Sequence, residues 1–177
     1  MSDVRFATRL SLLFFTVGTL LLATYYFTMS PYVALIGYSY TGFAVLIGII
    51  YLILIGFKVI SKKMPRTTGL KCAGLVLLNL PLATIYIYFV VILMTTARIT
   101  FENATGRSIS AVSIGGCTNK EIGNLKPGES KTLWVHIKND CSIVLFYKID
   151  REPKLETAFS YLTPNTGMIT TYKIGSH

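Results

Sequence analysis

Three cysteines and two histidines carry the most reactive side chains of this 177-residue sequence. Cys117 and Cys141 both lie in the C-terminal half, where a pair of thiols in an oxidising compartment predicts a disulfide bond. The bond would close a loop of about 25 residues and stabilise a small domain by about 3 kcal/mol. The alternative is a pair of unbonded, hydrophobic thiols. Cys72 stands apart from this pair and is expected to be free.

Patterns typical of catalysis and metal binding are missing from the sequence. A zinc site needs three or four His, Cys or carboxylate ligands, and no such cluster surrounds His136. This histidine lies beside Trp134 in an alternating segment, which favours a surface or interface position. The motifs of metalloproteases, serine hydrolases and phosphate-binding loops are also absent. We therefore expect a protein that is not an enzyme and holds no cofactor or metal.

The N-terminal half is dominated by two stretches without charged side chains, 10–57 and 72–97. A helix needs about 20 apolar residues to cross a bilayer, so the first stretch is long enough for two crossings. Ser30 precedes Pro31 and is therefore disfavoured in a helix. We expect the turn between the first two crossings at these residues. The sequence predicts transmembrane spans at 10–28, 33–57 and 73–96, and a three-span anchor over 1–97.

Basic residues predict the orientation of these spans. Arg5 and Arg9 precede the first span, and the connection before the third is basic without any acid, with Lys58, Lys62, Lys63, Arg66 and Lys71. Short loops rich in Lys and Arg remain in the cytoplasm. We expect a cytoplasmic N-terminus and an extracytoplasmic C-terminal domain at a plasma or bacterial inner membrane, where it would be periplasmic. Cleavage of the first span as a signal peptide is the alternative, and it leaves the domain outside.

Residues 98–177 change to an alternating pattern of apolar and polar side chains. Period-two segments are typical of strands with one buried face. They are predicted at 99–102, 109–114, 133–138, 143–149, 155–162 and 168–174. Turn-forming residues separate them, among them Gly115-Gly116, Lys126-Pro127-Gly128-Glu129 and Glu152-Pro153. The pattern predicts an all-β domain folded as a small antiparallel sandwich or barrel.

Trp134 and His136 form the candidate partner surface of this domain. If Leu133 and Val135 fill the core, their neighbours Trp134 and His136 must face outward, because successive side chains of a strand alternate. An outward Trp suggests contact with lipid headgroups, another subunit or a protein partner. The alternative is that Trp134 covers an open end of the core.

Two polar or small-residue features stand out in the spans. Ala44 and Gly48 have the spacing that lets two helix backbones approach, either within the three-helix bundle or between copies of the chain. Asn79 lies two positions before Pro81 and could bond across helices or hold a kink; it could equally lie near the interface. The spans lack ionisable residues, which argues against an ion-coupled transporter.

These features predict a non-catalytic, membrane-anchored binding protein whose β domain engages a protein partner outside the cytoplasm. An immunity-type inhibitor of a toxin and a sensor or accessory subunit of an envelope complex both fit, and the small size favours the former. The alternative is a subunit of a homo-oligomeric channel with a β cap. Membrane lipids are expected partners. Nucleic acid is not, because the basic residues of 98–177 are dispersed among acidic ones.

Overall fold

The computed structural model describes residues 2–165 and 167–176. The chain divides into two compact units, Met1–Val90 and Val91–His177. The first unit is helical, and the second holds the last turn of the final helix and all of the β-strands. Each unit is described by itself below.

Within the part of the chain that the structure describes, three helical segments have the length and composition needed to cross a membrane: Asp3–Thr28, Pro31–Ile60 and Arg66–Met94. They comprise α1 (Ser2–Thr28), α2 (Pro31–Ile60), α3 (Arg66–Leu77) and α4 (Asn79–Met94). The helices are longer than the charge-free stretches that predicted them. In consequence Arg66 and Lys71 lie on α3, and the connection between α2 and α3 is shorter than the basic loop expected from the sequence.

Proline residues lie at the start of α2 and at the break in the third segment. Pro31 occupies the first turn of α2, where its missing N–H costs nothing. Pro81 lies near the start of α4 and cannot donate to the carbonyl four residues earlier, at Leu77. The regular helix ends at that residue, and α4 starts again at Asn79.

The described residues of the β-rich region form seven strands: β1 (Thr96–Asn103), β2 (Ile109–Gly116), β3 (Lys120–Leu125), β4 (Ser130–His136), β5 (Cys141–Ile149), β6 (Glu152–Leu162) and β7 (Met168–Ile174). They make a three-stranded sheet in the order β4-β1-β7 and a four-stranded sheet in the order β3-β2-β5-β6. One core contains side chains of both sheets, including Phe101 of β1 and Leu145 of β5. The β domain is therefore a pair of sheets around a shared core.

Of the expected sandwich or barrel, the barrel alternative is wrong, and so is the expectation of purely antiparallel pairing. Among the described strands no barrel closes, since the two sheets remain separate. The fold is also not purely antiparallel, because β1 pairs with β7 in parallel, with Phe101 opposite Tyr172. A parallel pair needs a long connection between its strands, and the five intervening strands provide it.

The structure adds strand β3, which the sequence pattern does not predict, and corrects two predicted turns. Gly115 and Gly116 end β2 instead of forming a turn, and they pair with Val144 and Ile143. Glu152-Pro153 likewise begins β6, and the turn before it is made by Asp150 and Arg151, both at positive φ.

A close backbone contact explains the second glycine. Gly116 has φ 103°, and a Cβ there would collide with the main-chain carbonyl of Ser142. The same carbonyl accepts a hydrogen bond of 3.0 Å from the Cys117 N–H. Glycine therefore permits β2 and β5 to approach closely just before the first of the two C-terminal cysteines.

Candidate binding surfaces of the β domain

The two C-terminal cysteines lie at one end of the four-stranded sheet. The Sγ atoms of Cys117 and Cys141 are 2.05 Å apart, the distance of a disulfide bond. The bond joins the end of β2 to the start of β5, which agrees with the sequence prediction. Cys72 is free and buried in the helical unit, where it packs with Ala7, Ile55 and Met64.

The predicted orientation of β4 is confirmed. Val135 is fully buried, whereas Trp134 is 41% exposed and His136 is also exposed. Trp134 therefore does not belong to the core, so the alternative in which it covers an open end of the core is wrong. Its indole lies on the outer face of the three-stranded sheet.

Arg98 is the neighbour of Trp134 on this face. The two residues are opposite each other in the pairing of β1 with β4. The guanidinium carbon of Arg98 lies 4.9 Å from the centre of the indole ring, within the range of a cation–π contact. On the other side of Arg98, β7 places Ile169, which is 47% exposed. We call Trp134, Arg98 and Ile169 the Trp134 row.

The outer face of the four-stranded sheet carries a second group of exposed apolar side chains. Phe146 of β5 and Leu155 of β6 face each other in register and are 44% and 66% exposed. Gly115 of β2 leaves room for the Phe146 ring, because a Cβ there would come within 3.0 Å of it. We call Phe146 and Leu155 the Phe146 pair.

The Phe146 pair lies next to the edge of its sheet. Among the described strands β6 bonds only to β5, so its other side offers unpaired main-chain groups. Pro153 in β6 is typical of an edge strand, since it cannot donate a ladder hydrogen bond. An exposed edge beside an apolar pair can accept an added strand from another protein.

A half-buried carboxylate links the two sheets on the core side. Glu156 of β6 accepts hydrogen bonds from the hydroxyls of Tyr147 on β5 and Tyr172 on β7. Burial, and then the bonded carboxylate, raise the pKa of Tyr147 to about 12, and the same causes raise the pKa of Tyr172. The group faces inward opposite Leu145, so we assign it a structural role.

Asn103 also has a structural role, although it opens an Asn-Ala-Thr glycosylation acceptor sequence. Its side chain is 1% exposed. The amide nitrogen donates to the carbonyls of Arg107 and Leu125 at 2.7 and 2.9 Å, and the amide oxygen accepts from Thr105. Both amide hydrogens are thus used within the fold, which leaves none accessible for attachment of a glycan.

The three candidate residues of the helices, Ala44, Gly48 and Asn79, all border one cleft within the helical unit. Gly48 is buried, and a Cβ there would lie 3.5 Å from Val76 of α3, so its close approach is made within one chain. The cleft is apolar and has a volume of about 130 Å³. The Asn79 amide donates to the Val76 carbonyl at 3.3 Å, at the break between α3 and α4.

The described residues contain no group of three or more His, Cys, Asp or Glu side chains that could hold a metal ion. No model of a known protein family matches the chain, and no match was found among the curated proteins or the solved structures. The chemistry of the exposed surfaces is therefore the basis for assigning a function.

Sequence reasoning identified Trp134 but missed Arg98 and the Phe146 pair. Both depend on which residues stand opposite each other across strands, and this register is set by the fold. The period-two pattern did contain a signal for Phe146. It alternates with the buried Leu145 and Tyr147, so its large aromatic ring was placed on the solvent side of β5.

Proposed function

We propose that this chain is a non-catalytic binding protein, anchored by three transmembrane helices, whose β domain engages a protein partner outside the cytoplasm. The Phe146 pair beside the edge strand β6 carries the proposal. An apolar pair of this kind costs free energy in water and regains it when another protein covers it. The partner is expected to present an extended segment with an apolar side chain, which pairs with β6 and covers Phe146 and Leu155.

Two biological roles fit such a domain: an immunity-type inhibitor that blocks a toxin at the membrane, and a sensor or accessory subunit of an envelope complex. We favour the inhibitor. A small anchored domain with an exposed apolar pair at an edge strand needs no signalling domain to occupy the surface of a toxin.

Site-specific photocrosslinking in intact cells tests this proposal. A photoreactive phenylalanine analogue replaces Leu155 in one variant and Lys126, an exposed residue of the β3–β4 turn, in a control variant. We expect one discrete adduct from position 155 and none from position 126, and mass spectrometry identifies the partner. Phe146→Ser in the first variant should abolish the adduct. Equal crosslinking from both positions would refute the proposed surface.

The orientation is proposed from charge. The helical unit and its connections carry seven basic residues, and Asp3 is its one acid in the sequence. In the structure the Asp3 carboxylate pairs with Lys58 at 2.7 Å, which joins the start of α1 to the end of α2. By the positive-inside rule these two ends face the cytoplasm. Alkaline phosphatase fused after His177 should then be active in bacteria, and an inactive fusion would reverse the orientation.

The homo-oligomeric channel remains the second candidate. It requires Ala44 and Gly48 to line an interface between copies, but Gly48 is covered by Val76 of its own chain. The mass of the detergent-solubilised protein tests it, because a channel of this size needs several copies. An adduct at position 155 with the mass of two copies of this chain would favour this candidate over the binding protein.

A further inference from the structure

The Trp134 row combines three side chains of different chemistry in one line across three strands. Trp134 contributes an amphipathic ring, Arg98 a cation stacked on that ring, and Ile169 an exposed aliphatic group. The acid on this face of β1, Glu102, stands four residues beyond Arg98 and opposite Lys173. The row is therefore apolar and cationic, and its acidic neighbour is at the other end of the strand.

Each member of the row lies within four residues of a main-chain connection to the end of the last helix, made by the chain itself or by a hydrogen bond. Arg98 follows Met94, where α4 ends, by four residues. The N–H of Ile137, three residues after Trp134, donates to the Thr95 carbonyl at 2.8 Å. The N–H of Gly167, two residues before Ile169, donates to the Met94 carbonyl at 2.8 Å. The chain itself joins β1 to the helix end, and hydrogen bonds of residues next to β4 and β7 join the other two strands to it, close to this row.

These connections limit how far the row can be from the membrane. A strand rises about 3.3 Å per residue, so four residues place Arg98 no more than roughly 13 Å from Met94. If the segment Arg66–Met94 crosses the bilayer, its end reaches the boundary of the hydrocarbon. The polar headgroup layer extends about 5–8 Å beyond that boundary, and long side chains reach further.

The side chains of the row match the chemistry of this layer. Trp is enriched at the membrane–water interface because its ring is apolar and its N–H polar. Arg binds phosphate oxygens with its planar guanidinium, so Arg98 can pair with a lipid phosphate. An Ile beside them can reach the upper acyl chains.

We propose that the Trp134 row lies in the phospholipid headgroup layer, with Arg98 on lipid phosphate and Trp134 and Ile169 at the edge of the acyl chains. This lipid site goes beyond the proposed function, because it needs membrane insertion but no particular protein partner. It leaves the Phe146 pair, on the outer face of the other sheet, for that partner.

The fluorescence of Trp134 gives a direct test, since it is the one tryptophan of the sequence. The full chain is placed in bilayer nanodiscs that contain phosphatidylglycerol and lipids brominated near the headgroup or deep in the acyl chain. We expect shallow bromines to quench Trp134 about twofold more than deep ones. The matched control carries Trp134→Phe and Leu155→Trp, and its indole on the other sheet should be quenched by neither lipid.

A second variant tests the role of the cation. Arg98→Gln should reduce quenching by shallow bromines about twofold, and Arg98→Lys should restore most of it. Far-ultraviolet circular dichroism checks that both variants are folded. Quenching no stronger than in the Leu155→Trp control would overturn the lipid site, as would stronger quenching by deep bromines. Shielding of Trp134 from iodide only after a membrane protein extract is added would also overturn it and assign the row to a protein.

Discussion

The two compact units place their apolar side chains in opposite ways. In the β domain Phe101 and Leu145 have no exposed surface, whereas Phe43 and Ile53 of the helical unit are 60% and 65% exposed. The hydrophobic effect buries the first pair in a core. Lipid chains are as apolar as the side chains themselves, so there is no hydrophobic driving force to bury apolar side chains of a helix in a bilayer. Apolar residues therefore indicate the core in one unit and the outer surface in the other. Only the repeat period of the apolar residues along the sequence distinguishes the two units.

The sharpest test of this comparison is a matched pair of phenylalanine truncations. Phe101→Ala should lower the free energy of unfolding of the β domain by about 3–5 kcal/mol, because it leaves a cavity in a closed core. Phe43→Ala should change helix stability by less than about 1 kcal/mol, because lipid fills the space. Denaturant unfolding in nanodiscs measures the first by Trp134 fluorescence and the second by helical circular dichroism. Equal losses would break the comparison.

The cysteines allow a second matched pair. Cys117→Ser removes the bond between β2 and β5 and should destabilise the β domain by about 3 kcal/mol. Cys72 lies in the helical unit, so Cys72→Ser should leave the unfolding curve measured by Trp134 fluorescence unchanged. Thiol alkylation without reductant should label Cys72 alone after denaturation. Labelling of all three cysteines would reject the disulfide and the oxidising compartment it suggests.

Alkaline pH should lower the stability of the β domain through ionisation of Tyr147. Its pKa rises from about 10 in the unfolded chain to about 12 in the fold, so the folded state holds the proton more tightly. The resulting stability is complete below pH 10 and is lost as the pH rises to about 12, with a loss of about 2 kcal/mol. Thermal unfolding monitored at Trp134 measures it. Tyr147→Phe should make the decline shallower, and Tyr32→Phe in the helices should not.

The smallest effect concerns the β5–β6 turn. Asp150 and Arg151 both have positive φ, at 50° and 73°, a pair of conformations typical of a type I′ turn that favours glycine second. Arg151→Gly should therefore stabilise the β domain by about 1 kcal/mol. Lys154→Gly, in the adjoining strand, should instead destabilise it. A higher unfolding midpoint for the first variant alone is the expected result.

The sequence was informative wherever a structural preference is local. Charge-free stretches predicted three membrane-length helices, and Pro31 and Pro81 indicate where they begin or break. Alternation predicted six of the seven strands and the outward position of Trp134. Each of these features depends on side chains a few residues apart, whose environment follows from a single repeating period.

Alternation does not predict strand β3, and the reason is physical. Its two buried residues, Ile122 and Leu125, are three positions apart, with Gly123 at positive φ between them. The pairing of β2 with β3 is irregular there, which removes the alternation. A period-two pattern cannot detect a strand whose inward positions are spaced by three.

The pairings that form the candidate surfaces were beyond local reasoning altogether. Arg98 meets Trp134, and Phe146 meets Leu155, because strands choose partners and register through the whole core. The parallel pairing of β1 with β7 is the extreme case, since all other strands of the domain lie between them in the sequence.

Because of that parallel pairing, the order of synthesis affects how the β domain folds. Strand β1 leaves the ribosome first, yet it lies in the centre of its sheet and needs β7, the seventh strand, to complete it. While β7 is still being made, one side of β1 offers unpaired main-chain groups, and Phe101 lacks its ring neighbour Tyr172. Non-local closure of this kind is slow and exposes the nascent chain to misassembly. Cys117 directly follows β2 and Cys141 begins β5, so oxidation can join these two strands while the three-stranded sheet is still incomplete.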